Sequence, residues 1–299
     1  MTRHSLSCKC PVFFLSMIVA ANIQPSSGQQ NPPLKRDRLE YSKWSKDLNV
    51  PDPVAISFDA AGTAYVTQTT RRKANDLDIR NNRDWTVQDV GMMSVQQKLD
   101  FYRSRLAPER SDQNRRRVQD LNGDGRHDFR DLTMLSEKIH RVRDTDGDGF
   151  ADRIDLFAGN FQTEVTGIAA GVLHFRDAEN QPSVFATIAP DLWRLRDTNG
   201  DGKADQREKI ATGFGMHIAY AGHDMHGLTV GPDGKIYWSI GDKGIHVQSK
   251  EGRFFVYPNQ GGVMRCNPDG SDFEVFAHGL RNVQELAFDQ YGNLTCLNR

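Results

Sequence analysis

Short runs in which apolar and polar residues alternate cover much of the chain, and this period of two is typical of half-buried β-strands. The best example lies within residues 222–242, GHDMHGLTVGPDGKIYWSIGD. Leu228 and Val230 alternate with polar neighbours, a Gly-Pro-Asp-Gly turn follows, and Ile236–Ile240 is a β-rich return. This pattern predicts a β-hairpin that ends close to the carboxylate of Asp242.

Hairpins of this kind recur in pairs along the chain. Two hairpins per unit, at roughly 50–60 residues a unit, are typical of four-stranded propeller blades. We therefore predict an all-β fold, a β-propeller, with an irregular β-sandwich as the alternative. The units span residues 54–161, 165–215 and 226–280, and the start of a fourth spans 284–299. Because a closed propeller needs about four blades or more, these units predict a chain that contains only part of a propeller.

A charged insertion, residues 71–138, interrupts the first unit and carries one clear helix signal. Ser94 and Gln97 have the spacing of a capping box, which predicts a helix over residues 94–106. Four apolar side chains then fall on one face of that helix: Val95, Leu99, Tyr102 and Leu106.

Three acidic segments match the twelve-residue calcium-loop pattern, with glycine at the sixth position, where the loop must turn sharply. In the first loop the ligand positions are Asp120, Asn122, Asp124, Arg126, Asp128 and Asp131. In the second loop they are Asp144, Asp146, Asp148, Phe150, Asp152 and Asp155. In the third loop they are Asp197, Asn199, Asp201, Lys203, Asp205 and Glu208. The seventh residue offers its backbone carbonyl, so its side chain can vary.

Calcium is the predicted occupant of these loops because several carboxylates so close together would repel one another without a cation. Asx turns with glycine are the alternative. Strand-like segments flank the second and third loops, and only the first has a predicted exit helix, residues 132–139. We therefore expect structural calcium that staples hairpins rather than a paired EF-hand sensor.

The N-terminus predicts export. A basic start and an apolar run over residues 11–21 have the form of a signal peptide, which we place at 1–28, with a buried helix as the alternative. A polar linker follows at 29–50, and no later stretch is apolar enough to span a membrane. The net charge of −1 gives no general attraction to nucleic acid. Outside the signal only Cys266 and Cys296 remain, and nothing in the sequence supports a bridge between them.

His223 and His226 immediately precede the hairpin that ends near Asp242. A histidine held by a carboxylate can accept a proton near neutral pH, so these residues are candidates for acid–base chemistry. The alternative is a pair of hydrogen-bonded histidines that bridge neighbouring blades.

Residues 190–205, 222–244 and 257–293 resemble the glucose/sorbosone dehydrogenase-like propellers, and most closely the membrane-bound dehydrogenase domain proteins of planctomycete-type bacteria. The resemblance extends over roughly residues 50–293. It implies a six-bladed parent fold, of which about three and a half blades are present here. It also implies calcium, pyrroloquinoline quinone (PQQ), and oxidation of a sugar or alcohol with electrons passed to a haem partner.

The resemblance implies roles for particular residues. His223, five positions before Leu228, matches the base that takes the substrate proton, and Asp242 matches its supporting carboxylate. Arg281 and Asn282 match the pair that contacts the quinone, and we group His226 with them as a cofactor-binding candidate. For Arg281 the alternative is a structural arginine at a blade junction.

The motif around Arg281 departs from the family pattern, because Val283 replaces its proline and Glu285 replaces its second glycine. Since the further cofactor ligands of the family come from later blades, we expect this length of chain to be inactive alone. A second hypothesis, from another class, is a non-catalytic propeller that binds extracellular glycan or protein in a calcium-dependent way.

Overall fold

The computed structural model describes residues 42–45 and 47–298. The predicted signal at 1–28 and the greater part of the predicted linker lie outside the described residues. Within the described part, no helix has the length and apolar character needed to cross a bilayer.

The described chain folds into successive antiparallel β-sheets. The first sheet consists of β1 (Pro53–Phe58), β2 (Ala64–Gln68), β3 (Glu137–Arg143) and β4 (Arg153–Phe161). The second consists of β5 (Ala169–Arg176), β6 (Pro182–Ile188), β7 (Asp191–Arg196) and β8 (Gln206–Thr212). In both sheets each strand pairs with the next in the chain, which is the meander of a propeller blade.

The third sheet has the same order with a hairpin inserted at its middle. It begins with β9 (Met225–Val230) and β10 (Ile236–Ile240), leaves the sheet for the hairpin β11 (Ile245–Gln248) and β12 (Phe254–Tyr257), and resumes with β13 (Gly261–Cys266) and β14 (Glu274–Leu280). A two-stranded sheet, β15 (Val283–Phe288) and β16 (Leu294–Asn298), follows. The predicted all-β fold with four-stranded blades is confirmed, whereas the β11–β12 hairpin was not predicted.

The sheets pack face to face in chain order through their first strands. β1 packs on β5, β5 on β9, and β9 on β15. Hydroxyl groups join neighbouring sheets at the same depth: Thr187 donates to the Met225 carbonyl and Ser239 to the Val283 carbonyl, each at 2.8 Å. Large apolar side chains such as Trp238 and Phe185 fill the space between the second and third sheets. This radial packing of meander sheets is a β-propeller arrangement.

The insertion between β2 and β3 is built of short helical pieces. Its α-helices are α1 (Thr86–Val90), α2 (Val95–Arg105) and α3 (Ser111–Asn114). Its 3₁₀ turns are Arg71–Lys73, Ile79–Asn81, Arg83–Trp85, Pro108–Arg110 and Phe129–Thr133. The predicted helix over residues 94–106 is confirmed, since Ser94 Oγ accepts from the Gln97 amide as its N-cap.

The predicted exit helix at residues 132–139 is wrong. The chain makes the 3₁₀ turn Phe129–Thr133 and then enters β3 at Glu137. Pairing with β2 and burial of the Glu137 side chain against Thr69 and the Ala169 amide outweigh the local helical pattern. Within the described residues, Cys266 and Cys296 are free thiols, the first buried and the second exposed.

Candidate active site

The first hairpin of the third sheet brings His223 and Asp242 together. His226 lies opposite Ser239 in the register of β9 and β10, so the residues just outside the two strands also lie opposite each other. Gly241 permits this approach, because a Cβ at that position would lie 2.7 Å from the Cβ of His223. A side chain at position 241 would therefore push the histidine and the aspartate apart.

His223 and Asp242 are hydrogen-bonded. Nδ1 of His223 lies 2.7 Å from Oδ1 of Asp242, and the histidine side chain is 9% exposed. An ionised carboxylate can only accept, so Nδ1 carries the proton and Nε2 carries the lone pair. Nε2 makes no hydrogen bond within the described part of the chain, which leaves it able to accept a proton from a bound ligand.

Arg281 and Tyr220 lie beside this pair. The Asp242 amide donates to the Arg281 carbonyl at 2.8 Å, which links the third sheet to the start of β15. The Arg281 guanidinium lies 5.9 Å from the Tyr220 ring centroid, and that ring lies 5.2 Å from the His223 ring. Asn282, next in the chain, is buried. The structure thus brings His223, Asp242 and the Arg281–Asn282 segment to one place, at the beginnings of neighbouring first strands.

His226 is placed differently from His223. Its Nε2 lies 3.3 Å from the Gly222 carbonyl, and its side chain is buried. Burial lowers the pKa of His226, so the neutral ring is favoured there. These contacts fit a histidine that holds the loop before β9, and its cofactor-binding role stays a prediction.

A buried ion pair lies directly behind the His223–Asp242 pair. Lys243 Nζ contacts Asp224 Oδ1 at 2.6 Å, and both side chains are at least nine-tenths buried. Burial alone would lower the pKa of Lys243, but the charges of Asp224 and Asp76 together with the Asp224 hydrogen bond outweigh it, and the pKa is raised. Sequence reasoning missed this pair. The sequence did contain a signal for it. Asp224 follows His223 and Lys243 follows Asp242, and successive side chains of an extended chain point to opposite faces, so these two also lie together.

The insertion holds the loop that leads to His223. The Asp89 carboxylate accepts from the amides of Ile218 at 2.6 Å and Ala219 at 3.1 Å. Lys98, on α2, donates to the His217 carbonyl at 3.3 Å. Burial lowers the pKa of Lys98 to about 8. The helix pattern could not reveal that Lys98 is buried, because its partners are 117 and 119 residues away.

A small cavity lies on the buried side of this region. It has a volume of about 30 Å³, and Arg71, Lys98 and Lys243 are among the residues that line it. Such a volume holds about two water molecules and no sugar. This cavity therefore cannot hold a ligand of that size.

All three acidic loops adopt one conformation. In each, both oxygens of the first aspartate accept from the amides of the fourth and sixth residues, as when Asp144 accepts from Gly147 at 2.7 Å and Gly149 at 2.8 Å. Asp120 and Asp197 make the equivalent bonds. The loop glycines have positive φ, for example 88° at Gly149, which a larger residue adopts at a cost.

The second loop also brings its carboxylates together. Ligand oxygens of Asp144, Asp146 and Asp148 lie within 4.8 Å of one another. Asp155, the twelfth position, instead pairs with Arg143 at 2.7 Å on the adjacent strand. In the third loop the equivalent Glu208 pairs with Arg194. The structure therefore groups the early loop residues and turns both twelfth residues toward arginines.

The first loop contains its own cation. Arg130 Nη2 contacts Asp124 at 2.8 Å and Asp128 at 2.5 Å. Asp131 accepts from the amides of Leu121 and Asp128. In the first loop an arginine of the loop itself therefore neutralises two of the candidate ligands. In the second and third loops an arginine contacts the residue at the twelfth position.

The second and third loops lie at the opposite end of the sheets from His223. They connect β3 to β4 and β7 to β8, whereas His223 precedes β9 and Arg281 precedes β15. In an antiparallel meander the loop after the third strand lies at the far end of the first strand. Any cation in these two loops would therefore act on hairpin structure rather than on the histidine.

Fold and site together define a propeller of meander blades with a carboxylate-held histidine at the start of a first strand. The chain belongs to the family described as domain of unknown function DUF7133, whose model matches residues 37–299. No curated protein matches it at significant similarity.

The solved structures to which the chain is similar include two that are described by name. The PQQ-bound aldose sugar dehydrogenase of Streptomyces coelicolor shares 15% identity at a TM-score of 0.43, over 83% of this chain and 56% of that one. A protein of unknown function from Dyadobacter fermentans shares 11% identity at a TM-score of 0.29, over 73% of this chain and 38% of that one. The chain thus spans little more than half the length of the dehydrogenase.

Proposed function

We propose that this chain forms part of the propeller domain of an exported, calcium-binding, PQQ-dependent dehydrogenase. The enzyme would oxidise a hydroxyl or aldehyde group of a sugar or alcohol. The observation that carries the proposal is the 2.7 Å contact between His223 Nδ1 and Asp242 Oδ1. It leaves Nε2 as a lone-pair acceptor beside the Arg281 segment. Acid–base chemistry needs this arrangement, and a merely structural histidine does not.

In this proposal His223 acts as the general base. Its Nε2 takes the proton of the substrate hydroxyl, while Asp242 holds the ring in the required tautomer and stabilises the imidazolium that forms. The Arg281 guanidinium is a fixed positive charge for an anionic oxygen nearby. PQQ, when bound, supplies the two-electron acceptor.

The residues present fit such a cofactor. PQQ is a flat aromatic quinone that carries carboxylate groups, so it needs an aromatic or apolar face and cationic donors. Tyr220 offers a half-buried ring and Arg281 an exposed guanidinium, both close to His223. This donor set supports an anionic aromatic ligand.

Calcium in the second and third acidic loops is part of the proposal. The approach of Asp144, Asp146 and Asp148 to within 4.8 Å supports it, because three carboxylates at this distance favour a divalent cation. We propose that this calcium stabilises the outer hairpins. The proposed sugar or alcohol substrate, haem acceptor and export from the cell rest on the sequence resemblance and the N-terminal pattern.

The test is binding of PQQ by the purified chain with calcium, followed by dye-linked oxidation of a sugar panel. We expect PQQ binding in the wild type, and His223→Gln should lower any turnover by about 100-fold while the matched His226→Gln change has a smaller effect. If PQQ does not bind, the dehydrogenase proposal for this chain fails. Calcium-dependent binding to a glycan array in that case would favour the non-catalytic propeller.

A further inference from the structure

The insertion is fastened to the loop that carries His223. The Ile79 amide donates to the Ala219 carbonyl at 2.9 Å, and the Ala221 amide donates to Asp78 Oδ2 at 2.9 Å. Asp89 binds the preceding amides of the same loop. A segment that is 143 residues distant in the chain is therefore held in a fixed position relative to Tyr220 and His223.

These contacts deliver one cationic side chain to the candidate site. The Arg80 guanidinium lies 5.4 Å from the Tyr220 ring centroid. Asp78 holds it in a fork, with Nε at 2.9 Å and Nη2 at 2.6 Å from the carboxylate oxygens. Nη1 makes no hydrogen bond within the described residues, and the side chain is 59% exposed. Arg80 is thus oriented by its protein partner while one donor faces solvent.

Tyr220 is contacted by two arginines from separate parts of the chain. Arg80 comes from the insertion and Arg281 from the start of β15. The ring also contacts His223, at 5.2 Å between centroids. Two guanidinium groups close to one ring, beside a histidine that can accept a proton, concentrate positive charge there, and such a site suits an anionic ligand. Planar guanidinium groups recognise carboxylates with particular geometric fit.

We propose that Arg80 and Arg281 form a carboxylate-binding subsite beside His223, in which Arg80 touches the ligand and Asp78 positions it. The inference rests on the proposed function and deepens it. In this proposal the insertion contributes directly to ligand binding. The carboxylate can belong to PQQ itself or to a sugar-acid substrate, and the experiment separates the two.

The experiment measures equilibrium binding, so no turnover is needed. PQQ and its methyl-esterified form are titrated into the calcium-loaded full chain while intrinsic fluorescence is followed, and glucuronate is titrated in a second arm by calorimetry. The variants are Arg80→Gln, Arg80→Lys and, as the matched control, Arg83→Gln, an exposed arginine of the same insertion. A thermal melt of each variant checks that it is folded.

We expect the wild type to prefer PQQ over its ester, and Arg80→Gln to weaken PQQ binding about tenfold or more and to reduce that preference. Arg80→Lys should restore part of the affinity, and Arg83→Gln should match the wild type. If glucuronate binding rather than PQQ binding depends on Arg80, the carboxylate belongs to the substrate. If PQQ binds but no ligand responds to Arg80, the subsite is refuted while the proposed function survives; if neither ligand binds the wild type, both fail.

Discussion

Breaking the buried ion pair behind the candidate site tests how much the contact between Asp224 and Lys243 contributes to the free energy of unfolding. Lys243→Met removes the ammonium that contacts Asp224 at 2.6 Å and leaves a carboxylate whose side chain is 1% exposed. Removing one partner of a buried pair costs about 3–5 kcal/mol, because the remaining charge is uncompensated. For a domain of this size that corresponds to a fall in melting temperature on the order of 10 °C.

The assay is calorimetry and urea unfolding of the wild type, Lys243→Met and the double variant Asp224→Leu/Lys243→Met at several pH values. The double variant should recover most of the loss, since apolar side chains of similar size replace a matched pair at little cost. In the wild type the pKa of Asp224 is lowered, because the charge and the hydrogen bond of Lys243, with Lys98 nearby, together outweigh the opposing effect of burial. Without Lys243, burial should raise it, so the stability gap between wild type and Lys243→Met should narrow as pH falls.

Two results would refute this reasoning. One is a loss below about 1 kcal/mol for Lys243→Met at pH 7, which would mean that the pair is solvent-accessible. The other is a double variant as unstable as the single one, which would mean that packing rather than charge explains the loss. The His223 imidazole, observed by NMR, should shift in Lys243→Met if the pair also positions the neighbouring histidine.

Three further predictions concern Glu137, Asp242 and the acidic loops. Burial raises the pKa of Glu137 to about 7 from its ordinary value of 4.5, so the free energy of unfolding should fall as pH rises through this window. Glu137→Gln should reduce that fall by about 3 kcal/mol, measured by urea unfolding at several pH values. A pH–stability curve identical to that of the wild type would contradict this. Asp242→Asn should disturb the tautomer of His223, visible in the ring nitrogen shifts, and lower any turnover by about 100-fold. Asp144→Asn should remove the second loop's share of the gain in melting temperature on calcium addition and leave the third loop's share. Asp120→Asn, in the loop that Arg130 compensates, should leave nearly all of the gain, and equal effects of the two changes would overturn the distinction between the loops.

The strands were readable from the sequence because their signals are local. Alternation of Leu228 and Val230 with polar neighbours, followed by turn residues and a β-branched and aromatic return, is complete within 20 residues. The same holds for the Ser94 cap of α2 and for the backbone of the acidic loops. The residues that form each of these signals are neighbours in the chain, so no distant partner is needed to predict the element.

The placement of His223 opposite Asp242 was also accessible, because one hairpin register links the two residues. The contents of the insertion were not. The apolar pattern of residues 132–139 is compatible with a helix, but pairing with β2 makes the end of this segment the start of β3. Arg80 and Lys98 look like solvated charges on short helices. The loop at 215–221 provides the Tyr220 ring beside Arg80 and the carbonyls that accept from Lys98.

The sequence by itself thus determined the blades, the loops and one histidine–aspartate pair. Only the tertiary structure decided which charges lie around that pair: Asp224 with Lys243 behind it, and Arg80 with Arg281 across Tyr220. The physical reason is range. A hairpin or a turn is fixed by neighbours in the chain, whereas the burial of a charge depends on surfaces that meet only after the sheets and the insertion have packed.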